Sequence, residues 1–264
     1  MLLLPQAFCA TITPRSPLYG SARLAHRSVA LWELRLFFPQ REDRDMERQL
    51  GFSRDPTGDR TSLGLAAACA IGATSFAATT PVTALAAASA PFLYLTGLAV
   101  APGAVRGALD AVAVRLVPAI RERQAFHEAG HVLVGYLAGL PVDAAAVGGD
   151  AAVSFGEPSD AAVGDAVDVA SVVSMAGIAG EVIGLGDAEG GAADVAQLRE
   201  LLQQARPGLT RRVADDRIRW ATLMALTLLN KHRGEHERVA AVLREGGNAA
   251  ACLDAIESSA EILD

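Results

Sequence analysis

Apolar residues recur every three or four positions over much of the second half of the chain, which predicts a mainly helical fold. The first such stretch is 106–140, where Pro118 is expected to kink the helix or to start a new one. Its repeating apolar positions are Leu109, Val112, Leu116 and Ile120. Residues 166–186 predict a strongly apolar helix. Asp168 and Glu181 would be stranded in lipid there, which favours a core helix over a membrane span.

Four further helices are predicted after residue 190, with glycine and proline between them. Their predicted ranges are 192–206, 212–232, 235–245 and 249–263. Asn248 precedes the last of these helices and is a candidate N-cap. Trp220, Met224 and Leu228 lie at helical spacing and are expected to pack in the core. The segment 141–165 mixes Ala, Gly, Val, Asp and Pro, which indicates short strands and loops around Ala152–Phe155.

A different pattern precedes these helices: residues 61–105 contain no Asp, Glu, Lys, Arg or His. A membrane-crossing helix needs about 20 apolar residues, so this segment has room for one span or for a tight hairpin of two. Pro81 and Pro91 are the natural breaks, and Val82–Ala101 is the stronger candidate span. A pair of buried alanine-rich helices is the alternative. Arginines follow the segment, which would hold that flank on the positive side of a membrane.

The first 41 residues carry five arginines and one acid, Glu33, among scattered Ser, Thr and Pro. This composition is typical of an organelle transit peptide. Residues 42–60 then become charged and are expected to form a linker or a short exposed helix. The predicted organisation is therefore a transit peptide (1–41), a linker (42–60), a membrane segment (61–105) and a catalytic domain (106–264).

Composition narrows the function by exclusion. The net charge of −7 argues against binding to nucleic acid, because few cations would face the phosphates. The three cysteines are far apart, which excludes a disulfide framework and a cysteine-based zinc site. Lys231 is the only lysine, and it lacks the glycine-rich context of a phosphate-binding loop. The chain therefore carries no Walker-type nucleotide site of its own.

The sequence from His127 to His131 is the most informative motif, an H-E-x-x-H. Four residues make slightly more than one helical turn, so both imidazoles face one metal ion from the same side of a helix. Glu128 is rotated away from that face and can act as general base on an attacking water. A catalytic zinc usually takes three protein ligands and leaves one position open. The motif therefore predicts a metal-dependent hydrolytic site that needs one more ligand.

The chemistry of the residue types does not decide which residue is the third metal ligand. The metzincin pattern is excluded, because Val134 and Leu137 stand where it requires Gly and His. The other histidines fit poorly: His26 lies in the predicted transit peptide, and His232 and His236 are expected to be exposed beside a charged turn. A carboxylate is the better ligand type. The candidates are Glu181, Asp187, Glu189 and Asp194, with Asp194 and Glu189 nearly level.

Two segments resemble the peptidase domain of FtsH-type membrane zinc proteases. Residues 127–134 resemble the family's zinc-binding helix, and residues 176–184 with 189–198 resemble its second motif. The resemblance covers about residues 120–264 and implies a helical zincin-type peptidase fold with a small strand element. It also implies that Asp194 completes the zinc site with His127 and His131, while Glu181 either has a structural role or supports a ligand without binding the metal.

Residues 213–221 are similar to a plastid and cyanobacterial FtsH-like subgroup that lacks the ATPase module. This resemblance implies a chloroplast membrane, with a mitochondrial membrane as the alternative, and either an FtsH-type ATPase partner or a homo-oligomer. Many family members have another acid where this chain has Gly180. Without its own motor, such a domain would cleave only unfolded or flexible protein segments.

The sequence thus predicts a membrane-anchored zinc metalloendopeptidase in which His127, His131 and Asp194 hold Zn²⁺ and Glu128 is catalytic. One or two transmembrane helices would precede its domain. The alternative is a catalytically silent scaffold or adaptor that regulates a membrane protease assembly, with zinc that stabilises the fold. Non-heme iron also uses two histidines and one carboxylate, but its chemistry does not require Glu128 after the first histidine.

Overall fold

The structure is a computed structural model that describes residues 26–38, 114–147, 153–156, 166–189 and 191–258, with the single positions Met46, Thr96 and Val100. The predicted linker (42–60) and membrane segment (61–105), apart from those three positions, lie outside the described residues. So do residues 1–25 of the predicted transit peptide. The described part is mainly helical with one small antiparallel sheet, which confirms the predicted mainly helical class.

Eight α-helices and two strands make up the described part of the chain. They are α1 (Leu31–Leu34, followed by a 3₁₀ turn at Arg35–Phe37), α2 (Pro118–Leu137), β1 (Val142–Ala145), β2 (Val153–Phe155), α3 (Ala166–Ser174), α4 (Ala176–Leu185), α5 (Ala192–Ala205), α6 (Arg211–Lys231), α7 (Arg233–Arg244) and α8 (Ala249–Glu257). Pro118 is the first residue of α2, where its missing N–H costs nothing. Asn248 caps α8, with its side-chain oxygen 3.1 Å from the amide of Ala251. Both sequence predictions are confirmed.

The prediction of one helix over 166–186 is wrong, because the chain turns at Met175 and forms two helices. Ala166–Leu185 is the one stretch of the described residues that is long and apolar enough to cross a membrane, with a mean hydropathy of 1.6. It is 78% buried inside the fold. Asp168 within this stretch forms an ion pair of 2.7 Å with Arg217, a residue of α6. The two helices therefore form a core layer, as the stranded acids predicted.

Glycines bring α4 close to α2, and this contact organises the domain. A Cβ atom on Gly130 of α2 would collide with the carbonyl of Ala176 and lie 3.3 Å from the Cα of Gly180. A Cβ on Gly180 would likewise collide with the carbonyl of Phe126. Larger residues would push the two backbones apart. Close packing of α4 on α2 thus depends on the small residues that face each other there.

The sheet is a two-stranded ribbon beside α2. β1 and β2 pair antiparallel, with Val142 opposite Phe155, Ala145 opposite Val153 and an irregularity between Val142 and Ala144. Gly135 leaves room for the ring of Phe155, because a Cβ on Gly135 would overlap that ring. This contact fixes β2 against the helix that carries the two histidines, and it confirms the predicted strand element around Ala152–Phe155.

Residues 26–38 pack on α6, although about 170 residues separate them along the chain. Val29, Leu34 and Phe38 are buried in the same core as the helices. Asp216 accepts hydrogen bonds from the Ser28 hydroxyl at 3.0 Å and from the Val29 amide at 3.3 Å. These residues lie within the predicted transit peptide, and the structure makes them part of the folded domain.

Core positions on the later helices follow the sequence pattern with one exception. Trp220 and Leu228 are buried, as predicted, and Met224 packs partly buried against them. His232 and His236 were both expected to be exposed, but His232 is half-buried, and the prediction for His236 is wrong. The side chain is fully buried, with Nε2 2.9 Å from the carbonyl of Phe126, because it shares the inward face of α7 with apolar residues.

Candidate metal centre

His127 and His131 lie one turn apart on α2, and hydrogen bonds hold the outer nitrogen of each ring. Nδ1 of His127 donates to Oε1 of Glu181 at 2.8 Å. Nδ1 of His131 donates to the carbonyl of Val173 at 2.8 Å. With both Nδ1 atoms engaged, both Nε2 atoms are left facing the same point. Such partners fix the tautomer and the ring orientation that a metal ligand needs.

The break between α3 and α4 is part of this arrangement. In an unbroken helix the carbonyl of Val173 would accept from the amide four residues later, which is that of Gly177. The chain turns at Met175 instead, and the Val173 carbonyl accepts the proton of His131. The sequence pattern did not predict this break in the helix. The break frees the Val173 carbonyl to accept the hydrogen bond from His131.

Asp194 enters the site from the first turn of α5. Gly191 precedes this helix with φ +89°, a conformation that suits glycine, and a Cβ there would collide with Ile178. The turn places Oδ2 of Asp194 3.2 Å from Nε2 of His127. That oxygen is buried and has no aligned hydrogen-bond donor among the described residues. A buried carboxylate oxygen whose near neighbours are imidazole nitrogens is suited to a cation.

Two of the three separations between these ligand atoms fit a tetrahedral metal. Nε2 of His127 lies 3.3 Å from Nε2 of His131 and 3.2 Å from Oδ2 of Asp194. Zinc bonds to nitrogen and oxygen are about 2.0–2.1 Å long, which places neighbouring tetrahedral ligands about 3.3–3.4 Å apart. Among the described residues, one group of His, Cys, Asp or Glu side chains has all its ligand atoms within 4.8 Å of one another, and it consists of these three residues. The group could hold a metal ion.

Gly177 of α4 leaves open the space in front of the two imidazoles. A Cβ on Gly177 would be 2.5 Å from Nε2 of His131 and even closer to Nε2 of His127. No side chain can therefore occupy this position without displacing a ring. Helix α4 closes the site from one side with bare backbone and keeps the volume between the ligand atoms free.

Without a metal, the three side chains share protons instead. Burial lowers the pKa of His127, but the carboxylates of Asp194 and Glu181 outweigh it and raise that pKa to about 10. Burial and the neighbouring His127 charge lower the pKa of His131 to about 4. At neutral pH the metal-free site therefore holds a protonated His127 against an ionised Asp194. A metal ion must displace that proton before it can take the Nε2 lone pair.

We therefore expect metal binding to strengthen as the pH rises. Between about pH 5 and pH 9, one proton leaves His127 for each ion bound, so the apparent affinity should increase about tenfold per pH unit. Competition with a chromophoric chelator at pH 6, 7 and 8, corrected for protonation of the chelator, measures this slope. An affinity that is flat across this range would contradict a protonated His127 in the metal-free site.

Glu128 lies beside the three ligands on the wall of a cavity of about 500 Å³. The side chain is buried, and this burial raises the pKa of its carboxyl to about 7. A carboxyl with a pKa near neutrality can both accept and return a proton. Apolar side chains form much of the remaining wall, from the turn before β1, from β2 and from α5: Leu140, Val153, Phe155 and Leu201. The cavity thus combines a possible metal site, a proton-transferring group and an apolar surface.

The other acidic candidates surround Arg123, one turn before His127 on α2, and lie on the far side of that ring. Arg123 contacts Oε2 of Glu181 at 3.0 Å and Oδ1 of Asp187 at 3.0 Å. The Glu189 side chain is mostly exposed, and its carboxylate lies 3.6 Å from Arg123. The backbone amide of Glu189 donates to Oε2 of Glu181 at 2.9 Å. Arg123 therefore holds the carboxylate that orients His127 and the loop that leads to Asp194.

We expect Arg123→Met to weaken metal binding by about 10–100-fold, the usual effect of losing a group that orients a ligand. Arg199→Met is the matched control. Arg199 is equally half-buried and forms a 3.0 Å ion pair with Asp215 of α6, which is neither a ligand nor a residue that orients one. Dissociation constants from chelator competition should be about 10–100-fold higher for Arg123→Met than for Arg199→Met. An equal loss in both, or none in Arg123→Met, would show that Arg123 does not position the site.

Sequence reasoning missed Arg123 and Gly177. The helical spacing of Arg123, four residues before His127, was a usable signal for a contact on the same face. For Gly177 the sequence offers no usable signal beyond a run of small residues. Of the other histidines, His26 packs edge-on against Trp220 and His236 contacts the carbonyl of Phe126, so neither joins the ligand group.

Comparison of the chain with protein-family models, with curated proteins and with solved structures gives no match.

Proposed function

We propose that this chain is a membrane-anchored zinc metalloendopeptidase that hydrolyses peptide bonds in unfolded or flexible protein segments. The observation that carries the proposal is the set of ligand atoms: two imidazole nitrogens and one buried carboxylate oxygen within 4.8 Å of one another, with Glu128 beside them. Two nitrogen ligands and one oxygen ligand suit Zn²⁺. The zincin-type fold, the chloroplast membrane and an FtsH-type ATPase partner or homo-oligomer are supported by the sequence resemblance.

The chemistry assigns separate tasks to the residues. His127, His131 and Asp194 would hold the zinc ion, with Glu181 and the Val173 carbonyl keeping the two rings oriented. Zinc, when bound, supplies a Lewis acid that polarises a peptide carbonyl and acidifies water. Glu128 would accept a proton from the attacking water and pass it to the nitrogen of the leaving amine, so that the carboxyl is regenerated after each cleavage.

Substrate would bind as an extended segment along the sheet. Among the described elements, β2 pairs with another strand on one edge only. Two of its residues, Val153 and Phe155, line the cavity next to Glu128. A strand with unpaired backbone groups can add a peptide as a further strand. Folded proteins cannot offer such a segment, which is why the proposed substrates are unfolded or flexible.

A cleavage assay without nucleotide tests the proposal. The whole chain, purified in mild detergent and loaded with zinc, should cleave an unstructured polypeptide that carries a quenched fluorophore. It should leave a stably folded protein intact. A chelator should stop cleavage, and zinc in slight excess should restore it. ATP should change nothing, because the sequence offers no nucleotide site.

The rival function predicts a different set of results. A scaffold with a structural metal would bind zinc and lose thermal stability with the chelator, yet it would cleave none of the substrates. Zinc-loaded protein with no cleavage above that of a chelator-treated sample would therefore reject the peptidase and favour the scaffold.

A further inference from the structure

His236 of α7 is buried at a point where three helices meet, and it is not one of the metal-site residues. Its side chain is fully buried. The Nε2 atom lies 2.9 Å from the carbonyl oxygen of Phe126 in α2. A Cβ atom on Gly180 of α4 would lie 3.1 Å from the same nitrogen and would collide with the same carbonyl. The imidazole therefore contacts α2 and α4 where their backbones approach each other.

The proton of this imidazole belongs on Nε2. A carbonyl oxygen can only accept a hydrogen bond, so the nitrogen that faces Phe126 must be the donor. Nδ1 of His236 is buried without a hydrogen-bond partner among the described residues, so a proton there would have no acceptor. Burial lowers the pKa of His236 to about 4, and the ring is therefore neutral at physiological pH. His236 is thus a neutral donor that serves one backbone carbonyl.

The two residues that His236 contacts directly precede a proposed ligand and the carboxylate that orients it. Phe126 shares a peptide group with His127, and Gly180 shares one with Glu181. Oε1 of Glu181 lies 2.8 Å from Nδ1 of His127. A hydrogen bond weakens as its distance and angle depart from the optimum, so this bond depends on how the two backbones are held. His236 reaches both backbones from a third helix, one residue before each partner.

We propose that His236 is a positioning residue of the metal centre, because its hydrogen bond to the Phe126 carbonyl keeps α2 and α4 at the separation at which Glu181 orients His127. The inference rests on the proposed function and adds a residue from outside the H-E-x-x-H motif. Packing alone does not require an imidazole here. An apolar side chain of similar size would fill the same space without burying an unpartnered nitrogen.

His236→Leu and His236→Gln, each made in the whole chain, test the proposal. Leucine is of similar size and has no donor, whereas glutamine offers an amide N–H in place of the Nε2 proton. We expect the zinc dissociation constant to rise about tenfold in His236→Leu, the lower end of the usual effect of losing a group that orients a ligand. His236→Gln should recover most of that affinity.

His232→Leu is the matched control for these variants. His232 is half-buried where α6 ends and α7 begins, and its Nδ1 is 3.9 Å from Glu235 of α7. It has no contact with the peptide groups before His127 and Glu181 among those that involve His236. Its zinc affinity should therefore equal that of the wild type, so that a loss confined to His236→Leu is not a general effect of removing a histidine.

A measurement on the metal-free chain separates a positioning role from packing and from the peptidase. NMR spectra of ¹⁵N-labelled imidazoles report which ring nitrogen of each histidine carries a proton and what that proton contacts. In the wild type we expect His236 to be protonated on Nε2 and the Nδ1 proton of His127 to give a hydrogen-bonded signal. That His127 signal should weaken in His236→Leu and return in His236→Gln.

Three results would overturn the proposal. One is a wild-type His236 with its proton on Nδ1, a result that needs no variant to fold. Another is a His236→Leu protein with the zinc affinity and the His127 signal of the wild type, which would reject the positioning role and keep the peptidase. The third is an equal loss in His236→Leu and His236→Gln, which would assign His236 to packing. If the wild type binds no zinc, the peptidase is rejected, and the proposal stands when the His127 signal weakens in His236→Leu alone.

Discussion

Glu128→Gln should abolish peptide hydrolysis and leave the metal in place. The substitution preserves size and removes the one group that, among the described residues of the cavity wall, can accept a proton from water beside the three ligands. General acid–base groups contribute about 10²–10⁴-fold to a rate, so we expect a loss of at least this size in kcat. The fold should tolerate the change, because a neutral amide is less costly to bury than a carboxylate.

Glu122→Gln provides the matched control for this variant. Glu122 lies on the same helix, is half-exposed and is 3.7 Å from Arg244, away from the cavity. Its hydrolysis rate should stay within about twofold of the wild type, since isolated surface ion pairs contribute little. Initial rates with the quenched polypeptide, alongside zinc content, compare the two. A Glu128→Gln protein that keeps its zinc and more than a tenth of its activity would contradict the assigned role.

Gly177→Ala should remove the metal while the helix that carries it still forms. The new methyl group would lie 2.5 Å from Nε2 of His131 and would overlap Nε2 of His127, in the space next to both nitrogens. Alanine favours a helix over glycine by about 1 kcal/mol, so the backbone has no reason to unfold. We expect zinc affinity to fall by more than about 100-fold, beyond the usual effect of changing an orienting group.

Gly234→Ala is the control for a methyl group without a collision. A Cβ on Gly234 would have Arg238 as its nearest neighbour, at an ordinary 3.5 Å. This variant should bind zinc normally and be slightly more stable, by about 0.4–1 kcal/mol. Zinc retained after dialysis, with circular dichroism to verify helix content, distinguishes the two. Zinc bound equally well by Gly177→Ala would mean that the ion does not lie between the imidazoles.

The helices and the two histidines were predictable because the signals are local. Spacing along one helix decides that His127 and His131 share a face, and proline marks where that helix begins. Glycine turns and the Asn248 cap set the ends of the later helices in the same way. Each of these features depends on residues within a few positions of one another.

Features that depend on contacts between distant segments were not predictable from those signals. Asp194 and Glu189 could not be ranked by residue chemistry, and the resemblance, not spacing, favoured Asp194. The structure separates them because α5 turns Asp194 inward while Glu189 faces solvent. The break at Met175 likewise has no local cause, since it accompanies the bond from His131 to the Val173 carbonyl.

His236 shows how neighbouring charges mislead. Glu235 and Glu237 beside it suggested an exposed turn, yet a helix places adjacent residues on different faces. Val239, Ala240 and Leu243, at three, four and seven positions further on, are buried with it. The helical spacing was present in the sequence, and it was a better guide than the two adjacent acids.

Metal content of the wild type and of Asp194→Ala tests the central claim most directly. Both whole chains are purified in mild detergent, incubated with zinc, dialysed against a weak chelator and analysed for elements. About one zinc per chain in the wild type, lost in Asp194→Ala, is the result expected of a site with three protein ligands. A folded wild type without zinc, or an Asp194→Ala protein that retains it as well as the wild type, would contradict the site.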